Sequence, residues 1–237
     1  MSPRIWLISK YANIAKYGAD TRQSHLCKEF AKAGYKTSLI LSNSSHLYKT
    51  LPRFWGLYKQ QQINDVNVVW INTIRYNNAT SLMRMLSWIQ FELFVILYSL
   101  FNFKKSPDCV IASSLSLLSV FSGIFIKKVF SAKFIFEVRD IWPQTLVYLK
   151  NLDPNSFLVK ILKKVEQLGY SKANAVVGTM PGLKLHVNKI LNRESKKVHF
   201  IPQGYSESFY SIQENVSLDY QKKYLKDDKF NVMYAGT

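Results

Sequence analysis

Acidic residues are scarce in this sequence. Fifteen Asp and Glu stand against 32 Lys and Arg, for a formal net charge of +17. A chain so short of negative charge favours anionic partners: nucleic acid, acidic lipid or phosphate-bearing substrates. Cysteine is nearly absent. Cys27 and Cys109 offer no framework of bridges, and the reading is two buried thiols in a reducing cytoplasm. The loop from Lys10 to Asp20 holds one glycine, Gly18, which excludes a dinucleotide fingerprint. His25, His46, His186 and His199 lack metal-ligand spacing, so no metal is expected. No Gly-x-Ser-x-Gly or Cys/His arrangement points to hydrolysis. The Lys and Arg residues are scattered and form no nucleic-acid recognition motif, so nucleic acid is not expected as a partner. The apolar part of the N-terminus, MSPRIWLISKY, is too short for a signal peptide.

What is present is apolar and ordered in texture. At 48% hydrophobic and 14% aromatic, the 237 residues support a sizeable core, in one large domain or two small ones. Arg4 to Ile8 reads as a strand. Asp20 reads as the cap of a helix from Thr21 to Ala33, with Leu26, Phe30 and Ala33 on one face. Gly34 ends it, and Tyr35 to Leu41 returns as a strand. Asn43 to Gln62 reads as irregular, and Val66 to Ile71 as a strand. Cys109 to Ser113 and Phe134 to Val138 read as strands around a helix from Leu115 to Phe130. Phe157 to Leu168 is an amphipathic helix stopped by Gly169. Ala175 to Val177 is a strand, Pro181 opens a helix, and Val198 to Ile201 is a strand.

Ser81 to Phe103 is the most apolar stretch, interrupted by Arg84, Gln90 and Glu92 and closed by Lys104 and Lys105. A spanning helix needs roughly 20 predominantly apolar residues with few charges. The clean run from Leu93 to Phe103 is shorter. A membrane span, an interfacial helix and a plain core helix all stay open.

The segment from Lys133 to Thr145, KFIFEVRDIWPQT, carries the chemistry. Glu137 and Arg139 share one face of a strand, and a buried carboxylate needs a partner, which Arg139 supplies. Asp140 falls where the strand ends, and ligands of open α/β sheets bind beyond the carboxyl ends of strands. Asp140 either orients or deprotonates an acceptor hydroxyl or caps the following turn. Arg22, in a helix first turn, suits an anionic group or is a solvated surface residue. Gly18 fits a close backbone approach or a simple turn.

From Pro202 the texture becomes polar, with a short helix at most, until Phe230 to Tyr234 reads as a new strand and Ala235 to Thr237 as the start of a Gly-bearing loop. The expectation is a domain over 1–205, a linker over 206–229 and the beginning of a second domain at 230–237.

These segments resemble the N-terminal half of a family-4 retaining glycosyltransferase of the GT-B fold. More narrowly, they resemble bacterial polysaccharide and O-antigen enzymes of the fucosamine-transferase-like group. FEVRDIWPQT resembles that group's Glu-Val-Arg-Asp-Leu-Trp-Pro segment. Gly18-Ala19-Asp20-Thr21-Arg22 followed by Leu26 resembles its loop and helix start. Ala33-Gly34-Tyr35-Lys36-Thr37 resembles its Gly-His-x-Val turn, with Tyr35 in place of His. Val198 to Gly204, VHFIPQG, resembles the exit from the N-terminal domain, and Tyr234-Ala235-Gly236 resembles the first strand of the donor domain.

The resemblance implies a Rossmann-like parallel sheet with helices on both faces, holding the acceptor. A second domain would hold a nucleotide-sugar, the co-substrate, with no other cofactor. The family's Glu-x7-Glu segment is not in this sequence, so this chain by itself is expected to be inactive. The implied candidates are Asp140 as catalytic residue and Gly18, Arg22, Arg139, Gln203 and Gly204 as substrate-binding residues, the last two lining an interdomain cleft or a plain turn. The implied partners are a lipid-linked sugar acceptor, an anionic membrane surface at the inner face of the plasma membrane, and a separately encoded donor domain. A non-catalytic acceptor-binding module is the alternative.

Overall fold

A computed structural model describes residues 2–45, 48, 50–76, 81–114 and 116–204. Residues Met1–Gln203 form one compact unit, and all the elements below lie in it. The strand expected at Phe230–Tyr234 and the polar stretch before it fall outside the described residues.

The strands are β1 (Arg4–Ile8), β2 (Lys36–Ser42), β3 (Tyr58–Ile63), β4 (Val66–Ile71), β5 (Cys109–Ser113), β6 (Lys133–Val138), β7 (Ala175–Gly178) and β8 (Val198–Phe200). They form one sheet in the order β3-β4-β2-β1-β5-β6-β7-β8. Every pairing is parallel except β3 with β4. The helices are α1 (Arg22–Lys32), α2 (Leu82–Phe101), α3 (Ser119–Phe130), α4 (Gln144–Lys150), α5 (Phe157–Lys172) and α6 (Leu183–Leu191).

Apolar side chains alternate between the two faces because strand residues do. Ile5, Leu7, Leu39, Leu41, Val68 and Trp70 pack on one face with Cys27 of α1. Trp6, Ile8, Ile40, Val69, Phe134 and Phe136 pack on the other, with residues of α2, α3, α5 and α6. Both faces are thus covered, which is why the central strands read as unbroken apolar runs. The architecture is the expected α/β class, a Rossmann-like sheet with helices on both faces. Its order turns at β1: the chain leaves β1 toward β2, and leaves β5 toward β6 on the other side. The carboxyl ends of β1 and β5 therefore lie at the topological switch point, the place where ligands bind in such sheets.

Several local expectations are corrected. Tyr58–Ile63 is the strand β3, not an irregular stretch; it lies at the sheet edge with none of its residues buried, so it needs no apolar face. Asn64 turns it into β4 with φ 50°, a left-handed conformation that Asn tolerates. Thr21, not Asp20, caps α1, in a reciprocal box with Ser24. Leu26 and Phe30 pack against the core, whereas Ala33 is exposed. Gly169 does not end α5. The helix runs on to Lys172 because Gly169 lets it approach the sheet: a Cβ there would lie 2.8 Å from Val120 Cγ2 and 3.0 Å from Phe136 Cε1. Helix α3 starts at Ser119 and α6 at Leu183, each later than expected, and α4 follows Pro143. Cys27 is buried, but Cys109 is only half-buried.

Candidate functional site

The carboxyl ends of the strands carry two polar hubs. The first is built on Glu137, the penultimate residue of β6, which points to the α1 face. Its Oε1 accepts from Arg22 Nε at 3.0 Å and its Oε2 from Gln23 Nε2 at 3.3 Å. Gln23 Nε2 also donates to Ser113 Oγ at 3.1 Å, tying in β5. The rest of the Arg22 guanidinium donates to the carbonyls of Pro202 (2.7 Å) and Ile201 (3.3 Å) beyond β8. Side-chain exposure is 6% for Arg22 and 3% for Glu137, so this is a buried ion pair. Arg22 is therefore not a solvated surface residue. Nor is Arg139 the partner of Glu137. The strand ends at Val138, so the alternation that would place Arg139 beside Glu137 stops there, and the Arg139 backbone N–H donates to Ser114 Oγ.

The second hub is built on Lys10, just past β1. Lys10 is 3% exposed, and its ammonium donates to Ser87 Oγ at 2.7 Å and Ser42 Oγ at 3.3 Å. The rings of Tyr11, Tyr76 and Phe91 surround it, with centroids at 5.5, 5.5 and 5.8 Å. Among the described residues no carboxylate is within ion-pair distance of it. Burial holds the amine down to about 7, against the pull of Glu92 and with a further push from Arg84. Glu92, in α2, is buried and accepts from the Ser122 hydroxyl of α3, while its Oε1 has no partner among the described residues. Burial pushes its carboxyl up to about 7, with Ser122 and Lys10 opposing.

Above Lys10, Tyr11 is a meeting point. Its hydroxyl accepts from Arg84 Nε (3.0 Å), Trp88 Nε1 (2.6 Å) and the Tyr76 hydroxyl (3.2 Å). The Arg84 guanidinium lies 5.0 Å over the Trp88 ring, and Trp88 meets Trp142 edge-on at 5.7 Å.

Asp140 stands at the exit of β6, half-buried. Its backbone carbonyl accepts from Trp142, but its carboxylate caps no turn and makes no hydrogen bond or ion pair among the described residues. Arg139 is half-buried beside Tyr48, whose phenol it influences. Gly18 has φ 137°, and a Cβ there would lie 3.2 Å from Tyr48 Cδ1 and 3.3 Å from Asn13 Nδ2, so the position needs glycine. Gln203 and Gly204 are exposed. Among the described residues no group of His, Cys, Asp and Glu is placed to hold a metal.

Sequence reasoning thus reached Arg22 and Asp140 but missed Lys10, Tyr11, Trp88 and the role of Glu92. The available signals were a lysine directly after an apolar strand and a glutamate inside an apolar helix.

No protein-family profile matches the chain, and no curated protein matches it. Its fold is found in solved structures. It is similar to sucrose-phosphate synthase from Thermosynechococcus elongatus, with a TM-score of 0.52 and 15% identity over 89% of this chain and 94% of that one. It is also similar to LpCGTa in complex with UDP, with a TM-score of 0.53 and 9% identity over 90% of this chain. The match spans 55% of LpCGTa, about half its length. At such identities the likeness is one of fold: a Rossmann-like domain of the GT-B type.

Proposed function

We propose that this chain is the acceptor-binding domain of a GT-B glycosyltransferase resembling the family-4 retaining enzymes of cell-envelope polysaccharide synthesis. With a donor-binding domain, it transfers a sugar from a nucleotide-sugar to a lipid-linked acceptor. The observation that carries this reading is Asp140: a half-buried carboxylate with no protein partner among the described residues, at the carboxyl end of β6, next to the switch point of the sheet. Such a group orients an acceptor hydroxyl and accepts its proton. In this reading Gly18, Arg139, Gln203 and Gly204 contribute to substrate binding, and Arg22 holds the β8 exit in place through Glu137 and the carbonyls of 201 and 202.

Helix α2 supports docking on a membrane. Leu82, Leu86, Ile89, Leu93, Leu97 and Leu100 recur every three or four residues and are all exposed, while Phe91, Val95 and Tyr98 are buried in the core. An exposed apolar stripe of this length marks a lipid or protein contact. Lys104 and Lys105 follow it, and each Lys or Arg near an anionic leaflet contributes about 1 kcal/mol. Because its other side is built into the core, α2 lies along the surface and docks interfacially.

The test is nucleotide release from UDP- and GDP-sugars with native lipid extract, using the chain joined to its donor-binding domain. Release is expected only with lipid, and not in Asp140→Asn. Lipid-independent release, or normal turnover in Asp140→Asn, would refute the reading.

A further inference from the structure

Strand β3 ends the sheet. Among the described residues only β4 pairs with it, in an antiparallel register from Tyr58↔Ile71 to Ile63↔Val66. That register runs without a bulge, and YKQQQI holds no proline. Sheet edges are commonly blunted by such devices or by charge. Here the one charge is Lys59. The ladder fixes which amides face outward. The Asn72 N–H donates to the Leu57 carbonyl at 2.9 Å, so Leu57 points its backbone at β4. Backbone groups alternate along an antiparallel strand, so Lys59, Gln61 and Ile63 point inward too. The N–H and C=O groups of Tyr58, Gln60 and Gln62 point away from the sheet.

Each end of this strand carries a second feature. Just before it, Trp55 is 100% exposed, an indole with its whole surface in water. Just after it, the Asn64–Asp65 turn borders a hollow of about 110 Å³, with Ile14, Leu39, Ile63, Val66 and Val68 in its lining. A mainly apolar hollow of that order takes one aromatic ring. The strand is also complementary to itself. Antiparallel pairing about a two-fold at Gln60 sets Gln60 opposite Gln60, Tyr58 opposite Gln62 and Lys59 opposite Gln61. All three outward residues then meet outward residues, and no like charges stand directly opposite. A two-fold at Lys59 would set lysine against lysine, and one at Gln61 would run Tyr58 into the turn. The Gln60 register brings Leu57 opposite Ile63 and Trp55 beside the Asn64–Asp65 turn of the second copy, where the hollow lies.

We propose that two copies of this chain join edge to edge through β3, forming one continuous sheet, and that Trp55 of each copy covers the hollow of the other. The two-fold repeats each contact, as a closed dimer requires. Two indoles buried at about 150–250 Å² each supply about 300–500 Å² of the roughly 1,000 Å² that a specific interface clears. The paired backbones and the residues flanking them supply the rest. The join lies at the opposite edge of the sheet from β8 and leaves the carboxyl end of β6, with Asp140, open. It is therefore independent of the acceptor reading.

The test is sedimentation equilibrium of the full chain at about 0.15 M salt, where repulsion between two chains of charge +17 is screened beyond about 8 Å. A monomer–dimer equilibrium is expected. Gln62→Pro removes an outward N–H and no bond to β4, so it should weaken the dimer by about tenfold or more. Trp55→Ser should do the same, as the loss of a central aromatic anchor. Circular dichroism confirms that each variant is folded. The register has its own readout. Residues of a hydrogen-bonded antiparallel pair have Cα atoms about 5.5 Å apart, within disulfide range. Gln60→Cys should therefore give a covalent dimer on oxidation. Gln62→Cys, whose two copies stand four residues apart across the two-fold, should not, and neither should the wild type with Cys27 and Cys109. A monomer throughout, a dimer untouched by Gln62→Pro or Trp55→Ser, or equal cross-linking at 60 and 62 would overturn the proposal.

Discussion

The Arg22–Glu137 hub and the Lys10–Tyr11–Arg84 hub sit at the same end of the same sheet, yet they treat charge in opposite ways. In the first, a buried cation meets a buried anion at 3.0 Å, and the remaining guanidinium nitrogens find carbonyls. In the second, the partners of the buried cation among the described residues are hydroxyls and rings, and the buried acid behind it keeps one oxygen without a partner among them. The first is closed and joins β6, α1 and the segment after β8. The second holds a buried amine whose charge burial disfavours. A satisfied network rigidifies; an incompletely satisfied one marks where a ligand or proton is expected.

The largest effect should come from breaking the closed hub. Glu137→Ala leaves Arg22 buried without its anion and is expected to cost about 3–5 kcal/mol in denaturant unfolding. Lys10→Met, at equal burial, should be neutral or stabilising at pH 6, where the wild-type amine is charged in a dry site. A loss above about 2 kcal/mol would erase the contrast between the hubs.

Next comes pH. The folded-state pKa of Glu92 is raised from 4.5 to about 7, so its contribution is full below 4.5 and lost as pH rises through 7. Relative to Glu92→Gln, wild type should lose on the order of 3 kcal/mol across that window. Lys10 acts in the opposite sense: its pKa falls from 10.5 to about 7, so its contribution is present above 10.5 and lost as pH falls through 7. Thermal melts of the wild type and Glu92→Gln at pH 4.5 and 8 read the acid-side term. Parallel shifts in both proteins would mean that Glu92 is not desolvated.

The open side of the sheet should respond in rate rather than stability. Asp140→Asn, in the complete enzyme, is expected to lower turnover by about 10²-fold with unchanged donor affinity and melting temperature. A lost melting temperature would show that the carboxylate has a structural partner.

The contrast between the hubs also explains what the sequence could reveal. Strands β1, β4 and β5 were legible to the residue because buried parallel strands are uninterrupted apolar runs. Strand β3 was not, because YKQQQI at a sheet edge carries no burial signal. Asp140 was legible from its place after an apolar run. The Arg22–Glu137 pair was not, since 115 residues separate the partners and Arg139 offered a nearer one. Lys10 looked like the first residue of a polar loop, and Glu92 like an interruption of an apolar helix. Only the fold brings α2 against the β1 exit and gives both residues one dry environment.

A smaller effect concerns the membrane. Leu86→Glu with Leu93→Glu should weaken pelleting with anionic vesicles without changing stability beyond about 0.5 kcal/mol, as both residues are exposed. Binding of the wild type should fall with salt, because exposed charge attraction is screened. Equal pelleting with neutral vesicles would remove the electrostatic part.

The most direct test of the contrast between the two hubs sets Arg22→Gln against Lys10→Met, each measured for unfolding free energy at pH 6. Arg22→Gln leaves Glu137 buried without its cation and is expected to lose about 3 kcal/mol or more of stability. Lys10→Met is expected to stay at wild-type stability or above it. The reverse, with stability lost at Lys10 and kept at Arg22, would contradict the contrast.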